Sequence, residues 1–186
     1  LSAILDPEEL KSIMDSMFEE SSRIIVSLGG MVEKFLGDAV VALFGIHRAH
    51  EDGIVRAIRS ARMIHALAGE RVVSGKPLSM HTGIHSGNVL VDRRRAGGLS
   101  LGALGMPINI AARLSGLAGP GEILVDGSAV HEAERFFLVE PLGAKALKGV
   151  PGRVEVYRIA RQRDEPSSLH RPAHSSIPLV GRSGQL

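Results

Sequence analysis

The chain predicts an α/β sandwich, with helices packed on a sheet, and three observations point to it. Apolar stripes at helical spacing alternate with short strand-like runs, and turn residues mark nearly every boundary between them. At 186 residues and 44% apolar composition, the chain is long enough for one packed core and a tail.

Asp6-Pro7-Glu8-Glu9 reads as a helix start: an aspartate cap, a first-turn proline, and acids at the positive end of the helix dipole. Leu10, Ile13, Met14, Met17, Phe18, Ile24, Ile25 and Leu28 then form one apolar stripe that Gly29-Gly30 stops. Met31–Gly45 predicts a tight hairpin. Val32 and Lys34 share one face of its first strand, Met31, Glu33 and Phe35 share the other, Leu36-Gly37-Asp38 turns, and Ala39–Phe44 returns as an apolar strand. Taken alone, such a Gly-Asp turn only reverses the chain.

His50-Glu51-Asp52 opens a second helix, with Ile54, Ala57, Ile58, Ala61, Ile64 and Ala68 along one side and Arg56, Arg59 and Arg62 on a solvated face. Leu78, Met80, Thr82 and Ile84 alternate as a strand, Ser86-Gly87 turns, and Asn88–Val91 returns. His81 and His85, four apart, fall on one side of that strand. With no third ligand nearby, packing or solvent contact is the expected role rather than a metal pair. Arg93-Arg94-Arg95 and Ala96-Gly97-Gly98 read as an exposed hairpin tip.

Met106-Pro107 starts a third helix and Gly119-Pro120-Gly121 ends it. Asn109 and Arg113, four residues apart, project from one helical face and, by themselves, read as a surface pair. Glu122–Val125 is a short buried strand, Asp126–Ser128 caps a small helix, and Phe136–Glu140 and Val154–Ile159 are further strands. After Ala160 the periodicity stops, and residues 163–178, rich in proline, serine and histidine, read as linker.

A formal net charge of +2 conceals an uneven distribution, because residues 1–52 carry ten acids against four bases and the basic excess lies in the remainder. A basic excess suits nucleic acid or a polyphosphate ligand. With 3% aromatic residues, few rings exist on which bases would stack, so a nucleoside triphosphate fits better than a single-stranded nucleic acid. Zero cysteines excludes disulfides and thiolate metal sites and fits a cytoplasmic location. Apolar runs such as Ala39–Phe44 fall far short of the roughly 20 residues of a membrane-spanning helix.

Four phrases, in order, resemble the class III nucleotidyl cyclases, the adenylate and guanylate cyclase catalytic domains: KFLGDAVVALFG at Lys34–Gly45, HTGIHSGNV at His81–Val89, LGMPINIAARL at Leu104–Leu114 and PLGAKALKGVPGRVEVYRI at Pro141–Ile159. The resemblance covers about residues 1–160 and implies a ferredoxin-like sandwich of the βαββαβ type, with helices on a mostly antiparallel sheet. It also implies conversion of ATP, with GTP as the alternative, to a 3′,5′-cyclic nucleotide and pyrophosphate. Two divalent ions, Mg2+ or Mn2+, and a head-to-tail homodimer with sites at the interface come with it.

By resemblance, Asp38 matches the second metal-binding aspartate and Lys34 the lysine that contacts the purine, each serving a different site of the dimer. Asn109 matches the residue that orients the ribose, and Arg113 the arginine that neutralises charge growing on the α-phosphate. Lys148 matches the lysine facing the terminal phosphates. Gly102 stands where the family places a side chain that reads the base, so purine selection is expected to be loose, water-mediated or lost. Met106-Pro107 replaces the commoner polar pair.

The family's first metal aspartate lies on a strand ahead of the first helix, and Leu1 begins after it, so residues 1–186 alone are expected to have no appreciable cyclase activity. The domain is expected over 1–160 and a linker over 161–178. From residue 179 a further module is expected, because Ile177–Arg182 is similar to the phrase that opens ATPases of the AAA or STAND kind. Two further readings stand beside the cyclase: a degenerate cyclase-homology module that binds nucleotide or dimerises to regulate an attached ATPase, and a nucleic-acid-binding domain suggested only by the arginines and a pI near 9.3.

Overall fold

The computed structural model describes residues 7–46, 51–73, 75–90 and 105–163. The expectations at Asp6, His50, Gly102, the tip at 93–98 and everything after Arg163 lie outside those residues. Helix α1 (Pro7–Ser27) ends where Gly29 takes φ +78°, a left-handed conformation that favours glycine. Strands β1 (Gly30–Leu36) and β2 (Ala39–Phe44) pair antiparallel as the expected hairpin. Its seat on α1 is tight: the Phe18 and Phe35 ring centroids are 4.5 Å apart, and a Cβ on Gly30 would lie 2.6 Å from the Phe44 ring and 2.9 Å from Ile25.

Helix α2 (Gly53–Gly69) follows, then a two-residue ribbon of β3 (Val72–Val73) with β4 (Lys76–Pro77), and β5 (Thr82–Ile84). The strand expected from Leu78 is shorter, because only Thr82–Ile84 meets a partner, pairing parallel with β6 (Ile123–Asp126). Helix α3 (Met106–Leu117) precedes β6, and α4 (Gly127–Ala133) follows it. Strands β7 (Phe137–Ala146) and β8 (Arg153–Gln162) are each longer than expected and form an antiparallel ribbon with register shifts at Leu138/Val139 and Pro141/Gly143. The main sheet has order β5-β6-β8-β7, antiparallel except at β5-β6.

Both faces of this sheet are covered, which is why all four residues of β6 are buried. Ile123 and Val125 face α2 and α4, packing with Ile58, Ala129, Phe137 and Ile159, while Leu124 faces α3 and packs with Leu114, Leu147 and Val156. Gly83 makes the α3 side possible. A Cβ there would lie 2.2 Å from the Ala111 carbonyl oxygen and from the Ser115 nitrogen, so helix and strand backbones are in direct contact.

Helix α2 is capped from a distance. Its N-cap Asp52 makes no side-chain cap bond and instead accepts from Arg56 Nε at 2.7 Å, while the Ile54 and Val55 amides donate to Oε1 of Glu132 on α4 at 3.0 and 3.4 Å. Further along α2, His65 is hydrogen-bonded through Nε2 to Thr82 Oγ1 at 2.9 Å. Burial pushes the His65 imidazole below its ordinary value of 6.5, with the nearby Gly121 carbonyl opposing the shift and His81 adding to it.

Two outcomes follow from these contacts. Glu132→Ala is expected to cost about 1–2 kcal/mol, seen as a lower urea midpoint at unchanged slope, because it orphans two amides at the start of α2. For His65, the unfolded imidazole accepts a proton that the folded one resists. Stability is therefore present above the unfolded pKa and declines as pH falls below about 6.5. The loss between pH 7.5 and 5.5 is expected to be smaller in His65→Gln, compared by urea unfolding at both values.

Candidate functional site

Position along the hairpin is set by a bulge. The register pairs Val32 with Ala42 but Lys34 with Val41, leaving Glu33 as the extra residue. Because directly paired residues share a face, the bulge moves Lys34 away from Val32 and onto the face of Met31 and Leu36. The expected pairing of Val32 with Lys34 on one face is thereby corrected, and Glu33, expected beside Met31 and Phe35, is fully buried. Alternation with a strict period of two cannot reveal an inserted residue.

Asp38 occupies the hairpin turn beside Gly37, whose φ of +62° glycine accommodates without strain. Its side chain is exposed and borders a cleft of about 70 Å³ shared with Met14 and Phe18 of α1, Val40 of β2 and Met80. Val40 pairs with Phe35, which stacks on α1, so Asp38 borders the α1 side of the ribbon while Lys34 faces the other. Turn carboxylate and strand lysine therefore point to different surroundings.

Helix α3 presents Asn109 and Arg113. Ile110, Leu114 and Ala118 form its inner stripe against the sheet, and Asn109 and Arg113, each one residue ahead of that stripe, are exposed. Lys148 comes to the same face of the sheet by another route. In the link between β7 and β8, Leu147 is buried in the α3 cluster, the Val150 amide donates to the Leu147 carbonyl at 3.0 Å, and Gly149 takes φ +79°. Leu-Lys-Gly thus has a mechanical reading: an apolar anchor, an exposed cation, and the residue that permits the turn.

The structure brings Asn109, Arg113 and Lys148 to one face of the main sheet and sets Asp38 apart on the hairpin. Among the described residues, Arg113 and Lys148 make no ion pair, in contrast to Arg158, which is held by Glu122 at 2.8 Å and by Glu140, and Arg71, which is held by Glu20 at 2.6 Å. The Gly119 amide and Arg158 hold the half-buried Glu122 carboxyl below its usual range. Those two cations are thus open to an external anion.

Asp38 is the one site residue suited to a hard divalent ion, since such ions take carboxylate oxygens. Among the described residues no three His, Asp or Glu side chains come together as a metal cage, so Asp38 supplies one donor of the right chemistry. Magnesium-type sites of one or two carboxylates completed by substrate phosphates and water accommodate that arrangement.

His81 and His85 lie on the α3 side, as their spacing predicts, but each has its own partners. His81 Nδ1 donates to the Ser115 carbonyl at 2.8 Å, near the end of α3. His85 Nδ1 lies 2.6 Å from Asp126 Oδ2 and 3.1 Å from Ser128 Oγ. The cap expected at Asp126 is present, its Oδ1 accepting from the Ser128 amide at 3.2 Å. The link from His85 to it spans 41 residues and leaves no local signal in the sequence.

Among the described residues no helix is long and apolar enough to cross a membrane. An uncharacterized protein of Rhizobium meliloti (strain 1021) is 26% identical over 98% of this chain, and the chain spans 18% of that relative's length. Among solved structures, the catalytic core of a rhodopsin-guanylyl cyclase with converted specificity, in complex with ATPαS, superposes with a TM-score of 0.77 at 21% identity over 87% of this chain and 88% of that one. The guanylate cyclase domain of RhGC from Catenaria anguillulae, in complex with GTP, gives 0.74 at 19% over 87% and 89%. The adenylyl cyclase CyaB from P. aeruginosa gives 0.72 at 22% over 87% of each chain. At these identities the superpositions establish a shared fold, an α/β architecture with helices on an antiparallel-rich sheet. Residues 1–161 match the adenylate and guanylate cyclase catalytic domain family, and the chain belongs to that family of nucleotidyl cyclases.

Proposed function

We propose that the protein is an adenylate cyclase that converts ATP to 3′,5′-cyclic AMP and pyrophosphate, with sites formed between two copies. The observation that carries this reading is the presentation of Asn109, Arg113 and Lys148 on one face of the sheet, with both cations unpaired among the described residues. Asp38 and Lys34 look to different sides of their hairpin, which supports the idea that each serves a different site of a head-to-tail pair. ATPαS in one solved cyclase and GTP in another leave the base to be decided by residues outside the fold itself, among them Gly102.

In this reading Asn109 orients the ribose so that its 3′-oxygen lies in line with the α-phosphorus. A bond forms between them, the bond from that phosphorus to the bridging oxygen breaks, pyrophosphate leaves, and the hydroxyl proton passes to solvent. Arg113 faces the α-phosphate and stabilises the charge that grows there, while Lys148 holds the terminal phosphates. Each such charge-assisted contact contributes about 1.5–3 kcal/mol. Two Mg2+ or Mn2+ ions held by Asp38 and a further carboxylate from outside the described residues would supply charge neutralisation and acidify the attacking hydroxyl. Ile177–Arg182 supports a longer polypeptide in which an ATPase-type module follows the cyclase.

Among the described residues Asp38 belongs to no group of three or more His, Asp or Glu side chains that could hold a metal ion, which favours the other reading, a cyclase-homology module that binds nucleotide without turnover. Manganese-dependent formation of cyclic AMP from ATP by the full-length protein, with less from GTP, is the expected result. Nucleotide binding with no cyclic product would select the non-catalytic module. Arg113→Ala is expected to lower kcat by about 100-fold or more with KM changed only a few-fold, because the charge it meets is largest in the transition state. Equal loss in both terms would place Arg113 in ground-state binding instead.

A further inference from the structure

The first turn of α3 has no cap of its own. Its N-cap is Gly105, with φ +145° and no side-chain hydrogen bond, and Met106-Pro107 follows. Pro107 rests on the loop after β5: a Cβ on Gly87 would lie 2.8 Å from Pro107 Cγ and 3.1 Å from His85 Nε2. That loop is pinned in turn to the start of α4. The His85 ring sits between the two, with only 11% of its side chain exposed and 6% of its partner Asp126.

Donor and acceptor roles in this network are fixed by its chemistry. A carboxylate only accepts, so His85 Nδ1 carries the proton and donates to Asp126 Oδ2 at 2.6 Å. Ser128 Oγ donates to Asp126 Oδ1 at 2.6 Å and accepts from the Ser86 amide at 3.0 Å. Two consecutive loop residues are thereby tied to one carboxylate on the sheet.

We propose that His85 is a positioning residue for the site on α3: held by Asp126 and Ser128, it fixes the loop on which Pro107 rests and so sets where the first turn of α3 presents Asn109. The far end of the helix is already fixed by Gly83 beneath Ala111 and Ser115 and by His81 on the Ser115 carbonyl. Loss of the near support pivots the helix about that contact and swings the turn that carries Asn109. A displacement of about 1 Å in a group that orients reacting atoms costs up to about 100-fold in rate. The link to catalysis rests on the cyclase reading of Asn109 and Arg113; the link to helix position does not.

The test uses the full-length protein with His85→Ala, His85→Asn and His85→Gln. The amide nitrogen of asparagine replaces Nδ1 as donor to Asp126, whereas that of glutamine stands where Nε2 was. Amide hydrogen exchange over residues 106–113 is expected to quicken in the Ala and Gln variants and to return to the original rate in Asn, with melting temperatures checked for each. With Mn2+ and ATP, kcat is expected to fall about tenfold or more in Ala and Gln at nearly constant KM, and to recover in Asn. Should the Ala variant not fold, the contrast between Gln and Asn carries the test. Exchange over 106–113 that is unchanged in Ala and Gln, or an Asn variant as impaired as Gln, overturns the proposal. A full-length protein that makes no cyclic nucleotide overturns the cyclase reading, and the exchange rates still decide the role of His85.

Discussion

Backbone contact between α3 and β5 at Gly83 is the constraint on which the rest of the site depends. With 2.2 Å between an added Cβ and two backbone atoms of the helix, no other residue fits without separating the layers. That closeness seats Leu114 fully buried over Leu124 and leaves Asn109 and Arg113 on the outer side of the same helix. Because the sheet is covered on both faces, α3 has little room to slide, and the polar groups it carries are held by packing rather than by bonds of their own.

Charge is distributed in two ways across this scaffold. Some arginines are committed to the fold: Arg158 joins β8 to Glu122 and Glu140, Arg71 joins the end of α2 to Ser16 and Glu20 on α1, and Arg56 holds Asp52. Arg113 and Lys148 stand exposed and unpaired among the described residues on the α3 face. In the proposed reading a nucleotide brings its own charge and ordered oxygens, and the protein contributes position and field more than covalent chemistry.

Several features were legible locally because each rests on a short-range rule. Gly29 stopping α1, Gly37 and Asp38 turning the hairpin, Pro107 in the first turn of α3, and Asp126 capping α4 all follow from residue conformation or from a bond to a neighbour. The Glu33 bulge did not follow, since an inserted residue is defined only against a partner strand. For the same reason β5 is shorter, and β7 and β8 longer, than periodicity suggested: hydrogen bonding to a neighbour sets where a strand ends. Glu132 capping α2 and His85 meeting Asp126 join distant segments, and no spacing rule reaches that far.

By itself the sequence determined which residues are candidates for the chemistry, because their types and short phrases hold that information: a turn carboxylate, an Asn/Arg pair one helical turn apart, a lysine between an apolar anchor and a glycine. Tertiary structure decided which of them meet. Burial of Leu147 against Leu114 brings Lys148 to the face of Asn109 and Arg113, and the bulge turns Lys34 away from the side that Asp38 borders. Long-range packing and strand pairing fix those relations, and both depend on residues far apart along the chain.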